Sequence, residues 1–206
     1  MGWFKNLFKK KKKKVVIQKP SRKIETVGLI VGHTKRAGGA YSDRARLNEY
    51  DFHSVVIPRM KILWDAYIKS HIITRDNRGI EGASNVANAM GCDCTIEFHF
   101  NCYNGSASGR EALVIDGHEN SKLLANYILS EMGKKRPYQN NRGVKEMSRG
   151  NRGFYNLEQC NHGTPINVLL ESFFGDNEYD AQTAEEFIES FKFVLVDAIK
   201  AYNDNV

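Results

Sequence analysis

The sequence has only four cysteines among its 206 residues, and their spacing does not match that of a structural zinc site. Cys92 and Cys94 form a C-x-C pair, whereas structural zinc sites generally use C-x-x-C pairs. Residues two apart at the start of a strand are also poorly placed to bond each other. With Cys102 and Cys160, they are predicted to be reduced thiols, which is consistent with folding in a reducing cytoplasm.

Long apolar segments are also absent from the start of the chain. Residues 1–14, M-G-W-F-K-N-L-F-K-K-K-K-K-K, have neither an apolar core of about 7–15 residues nor a small-residue cleavage site. Their apolar part is too short to span a bilayer, and Asn6 stands where a myristoylation motif requires Ser or Thr. We therefore expect no secretory signal, and a cytoplasmic location in the producing cell.

Acidic residues are missing from residues 1–23, which contain nine lysines and one arginine. Because the whole chain has a formal net charge of +6 and this segment carries +10, residues 24–206 carry −4. A nucleic-acid-binding domain should carry its positive charge on the fold, so no nucleic-acid partner is expected. We divide the chain into a basic tail with its linker, residues 1–23, and a single domain, residues 24–206.

The basic tail permits two interpretations. Trp3, Phe4, Leu7 and Phe8 recur at helical spacing and precede six consecutive lysines. Such a segment can lie as an amphipathic helix on an anionic surface, either a membrane or a wall polymer. Alternatively, six like charges in a row repel one another and form a disordered, solubilising tail. The sequence alone leaves both interpretations open.

Short apolar segments alternate with helical patterns in residues 24–206. The segment T-V-G-L-I-V at 26–31 is a near-continuous apolar run, typical of a strand covered on both faces. This alternation predicts an α/β fold with a mostly parallel sheet between helix layers. Further strands are predicted at 71–74, 94–100, 112–115 and 166–170, and helices at 81–90, 121–132 and 181–202.

Three details of this pattern carry specific expectations. Pro58 is expected to kink or divide a helical pattern that continues to Trp64. The last apolar strand is expected to end at Glu171. Residues 133–162 are rich in Arg, Asn and Gly and give no clear assignment.

The segment T-I-E-F-H-F-N at 95–101 alternates at strand spacing, with apolar side chains at its even positions. Glu97, His99 and Asn101 therefore lie together on the other face. Burying such groups without partners costs roughly 2–7 kcal/mol for a polar group and more for a charge. A metal ion with bound water is one partner that would satisfy them, and a backbone carbonyl that accepts from a core histidine is the alternative.

Other ionisable residues also stand at predicted strand ends. His33 follows the first strand, His99 lies near the end of the third, and Glu171 closes the last. Sites of α/β sheets collect at the carboxyl ends of strands, and the helix that carries Glu49 could reach the same rim. Two histidines and a glutamate are a ligand set of catalytic zinc, and one more carboxylate supplies a base. Each residue alone could be capped or salt-bridged, but together they predict a metallohydrolase.

Five ordered motifs carry a resemblance to a known family. The motifs are V-G-H at 31–33, N-E at 48–49, I-E-F-H-F-N at 96–101, R-G-V-K at 142–145 and L-L-E-S-F-F-G-D-N at 169–177. In order and spacing, residues 26–203 resemble the zinc-dependent N-acetylmuramoyl-L-alanine amidases of the third amidase family. The resemblance is greatest to the single-domain type of phage endolysins.

The resemblance implies a fold, a site and an activity. The fold would be a single mixed, mostly parallel six-stranded sheet with helices on both faces. One zinc ion would be bound by His33, Glu49 and His99, and Glu171 would be the catalytic carboxylate. The substrate would be peptidoglycan, cleaved at the amide between N-acetylmuramic acid and the L-alanine of the stem peptide. We expect a monomer that acts at the cell wall or periplasm after release and is associated with the membrane surface if the tail binds there.

Several further residues are candidates for supporting roles. Glu97 is either a partner that orients a zinc ligand or a carboxylate paired with Arg or Lys. Asn101 shares the face of His99. Arg142 and Lys145, with Arg149 nearby, either hold the carboxylates of the stem peptide or belong to a solvated loop.

Two other functional classes share part of this pattern. A zinc carboxypeptidase or deacylase of related fold could use the same ligand set. A non-catalytic cell-wall-binding module would be expected to lose a ligand or Glu171, whereas this sequence keeps all four residues. The two enzyme classes are separated by which peptidoglycan fragment is released.

Overall fold

The computed structural model describes residues 22–206, so the predicted basic tail lies almost entirely outside the described residues. The described chain contains eight strands. They are β1 (Thr26–Val31), β2 (Tyr41–Ser42), β3 (Leu47–Asn48), β4 (Lys69–Ile73), β5 (Cys94–Asn101), β6 (Arg110–Ile115), β7 (Asn141–Met147) and β8 (Ile166–Phe174). Six of them form one sheet in the order β4-β1-β5-β8-β6-β7, and β2 and β3 form a separate pair.

The six-stranded sheet is mixed and mostly parallel. Of its neighbouring pairs, only β6 and β8 run antiparallel. Every residue of β1 and β8 is buried, as the near-continuous apolar run in β1 predicts for strands covered on both faces. The predicted fold is confirmed.

Helices cover both faces of the sheet. They are α1 (Glu49–Trp64), α2 (Gly79–Ala89), α3 (Glu119–Lys135), α4 (Phe154–Asn161), α5 (Ala184–Phe191) and α6 (Val194–Asn203). The largest apolar cluster joins one sheet face to α1, α3, α5 and α6, whereas α2 and α4 pack on the other face. None of the helices in residues 22–206 combines the length and the apolar character that a bilayer span needs.

The structure corrects two expectations about helices. Helix α1 continues through Pro58, so the proline does not divide it, and Asn48 caps its start by accepting from the backbone N–H of Asp51 at 2.9 Å. The predicted closing helix at 181–202 is two helices, α5 and α6. The indole N–H of Trp64 donates to the carbonyl of Lys192 at 2.6 Å, which satisfies that carbonyl outside a continuing helix.

The last strand also differs from expectation, because β8 continues past Glu171 to Phe174. The extension is stabilised by the ring of Phe173, which stacks on Phe100 with ring centroids 5.0 Å apart. In addition, the carboxylate of Asp180 accepts from the backbone N–H of Phe174 at 2.7 Å. Glu171 therefore lies inside a strand, with its backbone fixed on both sides.

The unassigned polar stretch contains β7 and α4. Strand β7 is the edge of the sheet next to β6, so most of its side chains are exposed and its sequence lacks an apolar pattern. Helix α4 buries only Leu157 and Cys160. Short elements with so few buried positions give little periodicity to detect.

Candidate active site

The backbone of His33 has an unusual conformation. It follows β1 with φ of 65°, a left-handed conformation that non-glycine residues rarely adopt. Two glycines make room around it. A Cβ on Gly32 would lie 2.5 Å from Cε1 of His99, and a Cβ on Gly39 would lie 2.6 Å from Cδ2 of His33. The two imidazoles therefore pack edge to face, with ring centroids 4.8 Å apart.

Glu49 lies between the two imidazoles. As the first residue of α1 it is directed by the Asn48 cap, and its side chain is buried. Nε2 of His33 is 3.2 Å from its Oε1, and Nδ1 of His99 is 2.9 Å from its Oε2. Burial alone would raise the pKa of Glu49, but hydrogen bonds from both imidazoles hold that pKa well below its usual range. The carboxylate is thus ionised at neutral pH.

The three side chains supply a set of donors for a metal ion. One donor atom from each of His33, Glu49 and His99 lies within 4.8 Å of the other two. Two imidazole nitrogens and one carboxylate oxygen, with a fourth position for water, are a ligand set of catalytic zinc. The structure therefore brings together the three residues predicted as ligands, although their role as ligands stays a prediction.

Glu97 contacts the other nitrogen of His99. Its Oε1 is 3.0 Å from Nε2 of His99. It also forms an ion pair with Arg75 and accepts from Nδ2 of Asn156 at 3.0 Å. Both interpretations of Glu97 therefore apply, because it touches a predicted ligand and is paired with an arginine. A carboxylate at Nε2 favours the proton there, which leaves Nδ1 for a metal.

Glu171 is the register partner of His99 in the parallel pair β5–β8. Its Oε2 is buried and has no hydrogen-bond partner among the described residues, while its Oε1 is 3.4 Å from Nη1 of Arg152. Burial raises the pKa of Glu171 to about 7, against the opposing effect of His99. A carboxyl group with this pKa can hold or release a proton near neutral pH.

Sequence reasoning missed Glu111 and Arg152. Glu111 is 1% exposed, and it is the antiparallel register partner of Glu171. It accepts from Nε of Arg142 at 3.0 Å and from Nδ2 of Asn101 at 2.8 Å, and it forms an ion pair with Arg152. A carboxylate beside an apolar strand was the available signal, but the predicted strand began one residue after Glu111.

The predicted substrate-binding residues lie at different depths. Asn101 is at the rim, where its Oδ1 accepts from Nη1 of Arg152 at 2.9 Å. Arg142 is also at the rim, with its guanidinium 5.1 Å from the ring centroid of Phe174. Lys145 is exposed and pairs in register with Leu113. It lies two residues further from the rim along β7 than Gly143, the register partner of Glu111. Each strand residue advances about 3.3 Å, so Lys145 is displaced from the site.

The whole domain is similar to known amidase structures. The catalytic domain of the N-acetylmuramoyl-L-alanine amidase CwlV of Bacillus (Paenibacillus) polymyxa has a TM-score of 0.71 at 18% identity, over 89% of this chain and 100% of that one. An N-acetylmuramoyl-L-alanine amidase of Clostridium difficile 630 has a TM-score of 0.74 at 19% identity, over 89% and 98%. The catalytic domain of an endolysin that targets Clostridium difficile has a TM-score of 0.65 at 24% identity, over 88% and 97%.

These similarities show the fold. A search of curated protein sequences finds no match to this chain. The family model for N-acetylmuramoyl-L-alanine amidase matches residues 27–193, which is most of the chain and includes every residue placed in the site above. The chain therefore belongs to the N-acetylmuramoyl-L-alanine amidase family.

Proposed function

We propose that the protein is a zinc-dependent peptidoglycan hydrolase that cleaves the amide between N-acetylmuramic acid and the L-alanine of the stem peptide. The observation that carries the proposal is the juxtaposition of the donor set His33, Glu49 and His99 with an oxygen of Glu171 that has no hydrogen-bond partner within residues 22–206. Membership of the amidase family supports the choice of bond.

The site residues would have two different roles, zinc binding and proton transfer. His33 through Nε2, Glu49 through its carboxylate and His99 through Nδ1 would hold the zinc ion. When bound, zinc polarises the scissile carbonyl and lowers the pKa of water. Glu171 accepts the proton of the attacking water and then delivers it to the nitrogen of L-alanine as the C–N bond breaks. The products are a muramic-acid carboxylate and a stem peptide with a free amine.

Two neighbours would position these groups. Glu97 fixes the ring of His99 by accepting from Nε2, so that Nδ1 points to the donor set. Arg152 contacts both Glu111 and Glu171, so it limits the movement of the Glu171 side chain. Because Glu171 also lies inside β8, its carboxyl group is held in one place relative to His99.

Mass spectrometry of digested peptidoglycan tests the proposal. Purified wall is treated with the zinc-loaded protein, with the chelated protein and with the Glu171→Gln variant. Release of stem peptides with an N-terminal L-alanine, only by the zinc-loaded wild type, is the expected result. Release of a C-terminal D-alanine would instead identify a carboxypeptidase, and binding without any cleavage would identify a wall-binding module.

The place of action is part of the same proposal. We infer that the protein is a phage or prophage lysin that reaches the cell wall or periplasm after release from the producing cell. The motif resemblance to single-domain endolysins supports this inference. Residues 1–14 would direct the enzyme to an anionic membrane or wall polymer through their lysines.

A further inference from the structure

A second feature of the rim is a cleft of about 610 Å³ beside the donor set. It is lined by residues 34–36, which follow His33, and by residues 75–79, which follow β4. Arg75 forms part of its wall, and Nη2 of Arg75 is only 3.4 Å from Nε2 of His99. The cleft therefore adjoins the donor set through Arg75 and through the residues that follow His33, on the side of β1 and β4.

Three cationic side chains of this cleft lack an acidic partner. Lys35, Arg36 and Arg78 are exposed, and within residues 22–206 no carboxylate oxygen lies within 4.0 Å of their charged nitrogens. Helix α2 begins at Gly79 with no side-chain cap, and the positive end of its dipole is offset in part by Glu81 in its first turn. The cleft is thus an electropositive surface with unused donors.

Asp76 offsets only part of this positive charge. Its Oδ1 accepts from the backbone N–H of Lys35 at 2.9 Å, and its Oδ2 accepts from the hydroxyl of Tyr50. These hydrogen bonds and the nearby charges of Lys35 and Arg78 lower the pKa of Asp76, and the hydrogen bonds tie the two lining loops to α1. Asp76 therefore holds the walls of the cleft in place, and its single negative charge leaves a surplus of positive charge among Lys35, Arg36 and Arg78.

On the opposite flank of the rim, two arginines form ion pairs with buried carboxylates. Arg142 and Arg152 both contact the buried carboxylate of Glu111, and Arg152 also contacts Glu171. Their guanidinium groups are therefore committed to protein carboxylates. A substrate with one acidic arm and one neutral arm has a preferred orientation across this rim, with its acidic arm in the cleft.

We propose that the cleft formed by residues 34–36 and 75–79 binds the carboxylates of the stem peptide. The peptide would then lie over β1 and β4, and the uncharged sugar would lie over β6 and β7. This assignment rests on the proposed function and moves the peptide-binding role from Arg142 and Lys145 to Lys35, Arg36 and Arg78. Guanidinium groups suit it because they bind carboxylates in a bidentate manner.

A pair of matched substrates tests the assignment. One is a soluble N-acetylmuramoyl peptide with free carboxylates, and the other is the same compound with every carboxylate amidated. We compare kcat/KM of the zinc-loaded wild type with that of the triple variant Lys35→Gln, Arg36→Gln and Arg78→Gln. The matched control is Lys200→Gln, an exposed lysine in the last turn of α6.

We expect the triple variant to lose activity only on the substrate with free carboxylates. The triple variant should lose about tenfold in kcat/KM for the free-carboxylate substrate, because each exposed ion pair contributes modestly. Its activity on the amidated substrate and the activity of the control on both substrates should be unchanged. Equal losses on both substrates, or a selective loss in Arg142→Gln instead, would overturn the assignment while leaving the proposed function intact.

A binding measurement separates this inference from catalysis. Calorimetry with the free stem peptide and its amidated form requires no cleavage. The wild type should prefer the free-carboxylate peptide, and the triple variant should lose that preference. A preference that persists in the triple variant would contradict the assignment. Failure of the wild type to cleave either substrate would instead overturn the proposed function.

Discussion

His99 and Glu171 are register partners in the parallel pair β5–β8, and Glu111 continues the same row on β6. Register partners point to the same face of a sheet, where neighbouring strands are about 4.8 Å apart. One imidazole and two carboxylates therefore lie side by side in a buried row. Glu111 is neutralised by two arginines, whereas one oxygen of Glu171 has no partner among the described residues. In the proposed function, this difference distinguishes Glu111, a structural carboxylate, from Glu171, the proposed base.

Replacement of Glu171 by Gln should abolish hydrolysis without removing the zinc site. The amide has nearly the same size but cannot accept the proton of water, so kcat should fall by about 10²–10⁴-fold. Muropeptide release by the zinc-loaded variant measures the loss, and zinc content and melting temperature serve as controls. Unchanged turnover would assign the base to another carboxylate, with Glu97 the first to test.

Replacement of Glu97 by Gln should weaken zinc binding. The variant replaces the charged acceptor that fixes the proton on Nε2 of His99 with a neutral amide, and partners of this kind typically contribute about 10–100-fold to metal affinity. Competition with a chromophoric chelator measures the affinity. Asp65→Asn removes a carboxylate that pairs with Lys61 away from the site, and it is the control. An unchanged zinc affinity in Glu97→Gln would show that Glu97 acts only as the counterion of Arg75.

The metal-free protein should lose stability as pH rises through neutrality because of Glu171. Its pKa is about 7 in the folded chain, against 4.5 for an ordinary glutamate, so the folded state binds the proton more tightly. The stabilisation is fully present below pH 4.5 and is lost as pH rises through 7. It corresponds to about 3 kcal/mol in the free energy of unfolding.

Urea unfolding in the presence of a chelator measures this effect. The unfolding free energy of the wild type, minus that of Glu171→Gln, should fall by about 3 kcal/mol between about pH 4.5 and pH 8. Glu49 is present in both proteins, and the stability that its lowered pKa provides is lost from both in acid, so the difference isolates Glu171 together with its coupling to Glu49. Parallel curves for the two proteins would contradict the raised pKa.

Deletion of residues 1–21 should separate targeting from catalysis. The deletion ends before Arg22, which forms an ion pair with Asp93 at 2.5 Å. Cleavage of soluble muropeptides should be unchanged, because no site residue lies in the deleted segment. Binding to anionic vesicles and to intact cells should weaken, since each lysine near an anionic membrane contributes about 1 kcal/mol. Equal binding of both proteins at low salt would show that the tail only increases solubility.

The strands that build the centre of the sheet were predictable from the sequence. Strands β1, β5 and β8 are buried on both faces, and burial requires the apolar patterns by which they were recognised. The exposed edge strand β7 and the short helix α4 were not recognised, because burial constrains few of their residues. The break between α5 and α6 depends on a distant tryptophan, which no local pattern reveals.

The sequence by itself determined the candidate donors His33, Glu49 and His99 and the carboxylate Glu171, because the ordered motifs contain all four. Only the tertiary structure decided which charged side chains form ion pairs with each other. The register of β6 against β8 placed Glu111 beside Glu171, and the loop after β4 placed Arg75 against Glu97. Such contacts join residues far apart in the chain, and their electrostatic effect depends on distance and burial, neither of which the sequence specifies locally.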